Sequence, residues 1–141
     1  MHGYFENGRI YVDVEVYGVI EDLIKPFKAR LDTGFDGYLS LPLVDSFSLA
    51  LILKGTQSYT IADGSEKVNL VCFGNVKCGE KSVIVPIDIS AKSPILIGAA
   101  LLKEFGYEIT IDYVKQSIKF AKTENSPTSI KQPLKSEQSK K

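Results

Sequence analysis

The chain has 141 residues, 44% hydrophobic and 24% charged, with a formal net charge of zero. That length suits one domain around one core, and the balanced charge argues against a dedicated nucleic-acid or membrane-surface binder. No apolar run approaches the roughly 18 residues of a membrane span, and the N-terminal MHGYFENGRIYVDV lacks a basic-then-apolar secretory pattern, so a soluble cytoplasmic protein is the expectation.

In chain order, Asn7-Gly8 is a strong hairpin-turn signal. GRIYVDVEVYG follows it and alternates apolar with polar residues, the mark of a half-buried strand. A run from Pro26 to Leu31 leads into ARLDTGFDGYLSLP, where an apolar strand stops at Asp32-Thr33-Gly34 and the chain turns through Asp36 and Gly37. Gly37 to Leu41 gives another short strand, stopped by Pro42, and residues 43–53 suit one helical turn or two. SYTIADGSEKVNLVCF reads as a hairpin with Asp63-Gly64 at its tip, and NVKCGEKSVIVPIDI as another, turning at Gly79-Glu80-Lys81. SPILIGAALLKEFG passes from an apolar strand through Gly98 into a short helix closed by Gly106. YEITIDYVKQSIKFA makes a last hairpin, with Asp112 as a turn residue. The strands are too many and too closely spaced for a βα repeat, so the plan is all-β with one clear helix.

Cys72 and Cys78 stand six residues apart in VCFGNVKC. On one strand they would lie roughly 20 Å apart on the same face, too far for a disulfide. The spacing is not that of a zinc site, and the single histidine, His2, gives no Cys–His nucleophile pair. Buried thiols in a reducing compartment are the simpler reading. After residue 121 the composition changes: residues 122–141 are polar and lysine-rich, with two prolines and no periodicity, and read as a disordered tail on a domain of residues 1–121.

Three pieces stand in a set order: the strand ending in Asp32-Thr33-Gly34, the hairpin tip Ala62-Asp63-Gly64-Ser65, and the apolar strand ILIG running into a helix. An Asp-Thr-Gly tripeptide is weak by itself; the order and spacing of all three are much stronger. Over roughly residues 8 to 121 this order resembles the retropepsin-like aspartic proteases, and it looks closest to their small cellular and prokaryotic members. The resemblance implies an acid-protease closed barrel with one short C-terminal helix, one lobe per chain. It implies that Asp32 is catalytic, with Thr33 and Gly34 completing the active-site loop. It implies a flap over Ile61, Ala62, Asp63 and Gly64, substrate-pocket roles for Leu39 and Leu96, and Gly98 as a structural glycine under the catalytic loop.

The chemistry is coherent with that likeness. Water cleaves a peptide bond when one carboxylate removes its proton and a second group protonates the substrate carbonyl. Two adjacent carboxylates do both, because repulsion keeps one protonated while the other is ionised. With a single Asp-Thr-Gly in the chain, the resemblance implies a homodimer with the Asp32 residues meeting on a twofold axis, a peptide or protein substrate, and no metal or organic cofactor. This sequence departs from the pattern in three places. Phe35 follows Asp-Thr-Gly where many members carry Ala or Ser. Ala99 stands where viral members often place an arginine, leaving Asp36 without its usual partner. Asp63 stands in a flap tip that is elsewhere mainly glycine. Asp36 and Asp63 also read as plain turn residues, and Arg30 as a solvated or interface charge. The alternative reading is a non-catalytic retropepsin-like peptide-binding or interaction module; a different small β-barrel sharing the tripeptide by accident is a weaker one.

Overall fold

In the computed structural model, residues 1–18 and 23–123 are described. The part of the predicted tail from residue 124 onward lies outside them. The chain opens with β1 (Gly3–Glu6) and β2 (Arg9–Tyr17), joined by the Asn7-Gly8 turn. Both turn residues take positive φ, 52° and 75°, as a two-residue turn matched to strand twist requires. Along β2 the alternation seen in the sequence becomes geometry: Ile10, Val12, Val14 and Val16 are buried, while Arg9 and Asp13 are exposed.

β3 (Ile24–Leu31) pairs antiparallel with β2 and carries Phe27 and Ala29 inward. β4 (Leu39–Pro42) runs into α1 (Leu43–Ser48), the helical turn or two expected there. The Lys25 ammonium holds the buried Asp45 of α1 at 2.5 Å, tying this helix to β3. β5 (Ile52–Thr60), β6 (Glu66–Cys78) and β7 (Lys81–Ser90) form an antiparallel meander. The two-residue β6–β7 turn is Gly79-Glu80, with Gly79 at φ 65°. β8 (Leu96–Ile97) leads through Gly98 into α2 (Ala99–Phe105), and Gly106 closes that helix in the left-handed conformation at φ 73°.

The strand order in the eight-stranded sheet is β1-β2-β3-β8-β4-β7-β6-β5, with β2 also paired to β6. From β2 the pairings therefore pass through β3, β8, β4, β7 and β6 and return to β2. Inside this circuit lie Val12, Val16, Leu39, Leu41, Ile87 and Ile97, capped by Leu101 and Phe105 of α2. Burying side chains of this size contributes about 1.5–3 kcal/mol each, which makes the interior the main source of stability. β9 (Tyr107–Asp112) and β10 (Ser117–Lys122) form a separate hairpin. It is anchored by the Tyr107 ring between Phe105 and Phe120, at 6.4 and 5.9 Å. Asp112 accepts hydrogen bonds from the Val114 and Lys115 amides and so serves as the turn residue expected of it.

Both cysteines lie on β6, buried and unpaired. Burial pushes the Cys78 thiol up to about 12 and raises Cys72 as well, so both behave as small apolar core groups. Among the described residues no helix is long and apolar enough to cross a membrane, and no His/Cys/Asp/Glu group is arranged to hold a metal ion.

Candidate active site

Asp32 sits where β3 ends. The Arg30 and Asp32 amides donate to the carbonyls of Ile95 and Ile97, at 2.9 and 3.0 Å, stitching this strand end to β8. The Asp32 carboxylate accepts the Gly34 amide at 3.0 Å and its carbonyl accepts the Phe35 amide at 3.1 Å, so the loop folds back on the aspartate. Asp32 is half-buried, while Thr33, Gly34 and Asp36 are exposed. Asp36 forms no ion pair among the described residues, and Arg30 is solvent-exposed and likewise unpaired there.

Gly98 holds the loop in place. Its amide donates to the Tyr38 carbonyl at 3.0 Å, and the Ala99 and Ala100 amides donate to Phe35 and Gly37 at 3.0 and 3.2 Å. A Cβ on Gly98 would lie 2.1 Å from the Gly37 carbonyl oxygen and 2.6 Å from that of Phe35. Both contacts are with backbone, so no side chain fits without moving the loop. The Phe35 ring covers this spot, 2.7 Å from where that Cβ would be. The residue that departs from the Ala or Ser of the family pattern is therefore seated on glycine.

Beside the loop lies a cavity of about 930 Å³. Gly34 and Phe35 stand at its edge, and Lys54, Thr56, Gln57 and Tyr59 of β5 cover it. The β5–β6 ribbon thus forms its roof, and the tip of that ribbon is the predicted flap. There the Ile61 amide donates to Ser65 at 3.0 Å and the Gly64 amide to Ile61 at 2.9 Å, with Gly64 at φ 87°. Asp63 accepts the Ser65 amide at 2.8 Å and its hydroxyl at 2.6 Å. Those two bonds hold the Asp63 carboxyl below its ordinary value. Asp63 is the turn residue of the tip.

The two leucines expected in the pocket part company. Leu96 lines the cavity. Leu39 does not: it is 0% exposed and belongs to the core, which corrects the pocket role assigned to it. Strand parity is the reason. Leu39 is paired with Ile97 and Ile87, and Ile87 with Cys72, all facing inward. One position along, Leu96 is paired with Ser40, Ser40 with Asp88, and Asp88 with Val71, and all of these line the cavity. Cross-strand partners share a face, so this second row is the cavity floor. Ser40 fixes it by donating to the Pro94 carbonyl at 2.6 Å.

Sequence reasoning did not single out Ser40, Val71 or Asp88. The alternation in VIVPIDIS already puts Asp88 opposite Val85, Ile87 and Ile89, away from the core. What the alternation does not carry is that the β5–β6 ribbon then covers that outer face.

No protein-family model and no curated protein matches the chain. Among solved structures, EIAV protease complexed with the inhibitor HBY-793 is similar, with a TM-score of 0.59 and 15% identity over 77% of this chain and 98% of that one. The solution structure of Simian Foamy Virus (mac) protease gives a TM-score of 0.47 and 20% identity, covering 65% of this chain and 90% of that one. The likeness to EIAV protease spans nearly all of that enzyme, so the chain has the fold of the retropepsin-like proteases.

Proposed function

We propose that the protein is a homodimeric aspartic endopeptidase whose active site forms when the Asp32 loops of two chains meet on a twofold axis. The observation that carries this reading is the placement of Asp32. It stands on an exposed Asp-Thr-Gly loop, pinned from beneath by Gly98 and adjoining a cavity roofed by a hairpin, in a chain with a protease fold. One chain presents one such carboxylate, and the chemistry needs two.

In the dimer the two carboxyls titrate as a pair and hold one proton between them. The ionised one takes a proton from water, and the resulting oxygen nucleophile attacks the peptide carbonyl while the protonated one donates to the carbonyl oxygen. Collapse of the tetrahedral intermediate breaks the C–N bond, with a proton passing to the leaving nitrogen. Thr33, exposed on the loop, faces the partner's copy across the axis in this arrangement. The β5–β6 ribbon closes over an extended peptide, excludes water and offers main-chain hydrogen bonds to it.

Two measurements test the reading. Sedimentation over a range of concentrations should show a species of twice the chain mass, and peptide cleavage by that species should vanish in Asp32→Asn while the fold persists. Cleavage retained in Asp32→Asn removes the catalytic assignment. A monomer at every concentration leaves one aspartate per particle and turns the reading toward a peptide-binding module.

A further inference from the structure

The cavity floor carries one group that the catalytic scheme does not use. Asp88 is half-buried in the middle of the row Leu96–Ser40–Asp88–Val71. Its neighbours in that row are a leucine, a valine and a serine whose hydroxyl is already committed to Pro94. Among the described residues Asp88 forms no ion pair. Burial pushes its carboxyl above the ordinary value, and no positive charge among the described residues offsets the loss of water. Lys54, the cavity's own cation, sits instead with its ammonium 5.6 Å from the centre of the Phe73 ring.

A second feature converges on the same spot. The Phe35 ring and the Asp88 carboxylate both abut the bare face of Gly37. They come within 2.6 and 3.0 Å of the point where a Cβ would stand. An aromatic ring and an uncompensated carboxylate thus lie side by side against Gly37, and all three residues line the cavity. An aliphatic stem with a cationic end fits that pair: the stem lies against the ring and the charge meets the carboxylate. A partly buried carboxylate gains most from a cation because its water has already been partly removed.

From this we infer that Asp88, backed by Phe35, is a specificity-determining subsite that selects a lysine or arginine side chain of the peptide held under the flap. The inference rests on the peptide-cleaving reading above and names its substrate class. Asp88 acts in recognition and takes no part in bond breaking.

The test uses the full-length chain and peptide mixtures in which each position carries Lys, Arg, Gln or norleucine in turn. At one subsite, kcat/KM for the basic residues should exceed that for norleucine by about tenfold or more, and Asp88→Asn should bring that ratio down towards one. In parallel, fluorescein-labelled lysine and norleucine peptides are bound to the Asp32→Asn chain, with and without Asp88→Asn. The lysine peptide should bind tighter only where Asp88 is present. Cleavage without a basic preference, or with one that survives Asp88→Asn, overturns the Asp88 assignment and leaves the protease reading intact. Absence of cleavage together with Asp88-dependent lysine binding overturns the protease reading and keeps the assignment. Neither cleavage nor binding overturns both.

Discussion

Ile97, Leu39, Ile87 and Cys72 cross strands β8, β4, β7 and β6 as one paired row, and Leu96, Ser40, Asp88 and Val71 cross the same strands one position away. Exposure alone does not separate the two rows. Ser40 and Val71, at 5% and 6%, are as buried as Cys72 at 5%. What differs is the cover. The first row is enclosed by the barrel interior and by α2, whose Leu101 and Phe105 pack against it. The second is covered by β5 and its ribbon, whose outer residues are nearly all exposed. A row closed by a barrel is fixed by the folding free energy, and its residues are chosen for volume. A row closed by a ribbon is uncovered when the ribbon moves, so it tolerates polar groups and presents them to a ligand.

The sharpest way to break this comparison is to truncate one leucine in each row. Leu39→Ala should remove about 2–5 kcal/mol of stability, since the site is sealed and a cavity remains. Leu96→Ala, half-buried at the edge of open space, should cost about 1.5 kcal/mol or less, and its larger effect should fall on peptide binding. Urea denaturation of the two variants decides it. Equal costs would mean that the floor is structurally part of the core.

The same pair shows how much of the site was legible in the sequence. The loop order, the hairpin turns at Asn7-Gly8 and Asp63-Gly64, and the glycine after the LI strand are local signals, written in residue types that few other conformations need. Each appears in the structure where the sequence puts it. Leu39 and Ser40 are different. In YLSLP a serine between two leucines marks the two faces but does not say that the serine's face lines a cavity. That depends on where β5 lies, and β5 meets β4 only through β7 and β6. Asp88 was illegible for the same reason. An aspartate on the outer face of a strand reads as solvated until a distant ribbon is laid over it. Phe35 was legible only as a departure from pattern, because its seat on Gly98 and Gly37 joins separate parts of the chain.

A smaller effect sharpens the comparison on the floor itself. The folded-state pKa of Asp88 is raised by burial, so the native state holds the proton more tightly than the unfolded chain does. Its ionisation therefore destabilises the fold: stability is highest below the unfolded-state pKa and declines as pH rises through the raised folded value, then levels off. Asp88→Asn removes that penalty. The variant should be modestly more stable than wild type at neutral pH, and the difference should disappear on acidification. Thermal melts of both proteins across the acid range check this. A variant less stable than wild type at neutral pH would mean that the carboxylate is compensated by a partner after all.

The smallest effect lies at the flap tip, and it asks whether roof and barrel open separately. Asp63 is exposed and accepts two bonds from Ser65, which favour its ionised form and lower its pKa. The contribution of those bonds is present above the ordinary carboxylate pKa and is lost as pH falls through the lowered folded value. Asp63→Ala should mimic the acid state at every pH. Gly64 still supplies the positive φ of the turn, so global stability should hardly move. The Ser65 amide, by contrast, should exchange its hydrogen several-fold faster, by the logic of local opening, while the amides of Leu39 and Ile87 keep the wild-type rate. Faster exchange at all three would mean that the ribbon and the barrel open as one unit. The cavity floor would then be reached only by unfolding, and the division between the two rows would lose its physical basis.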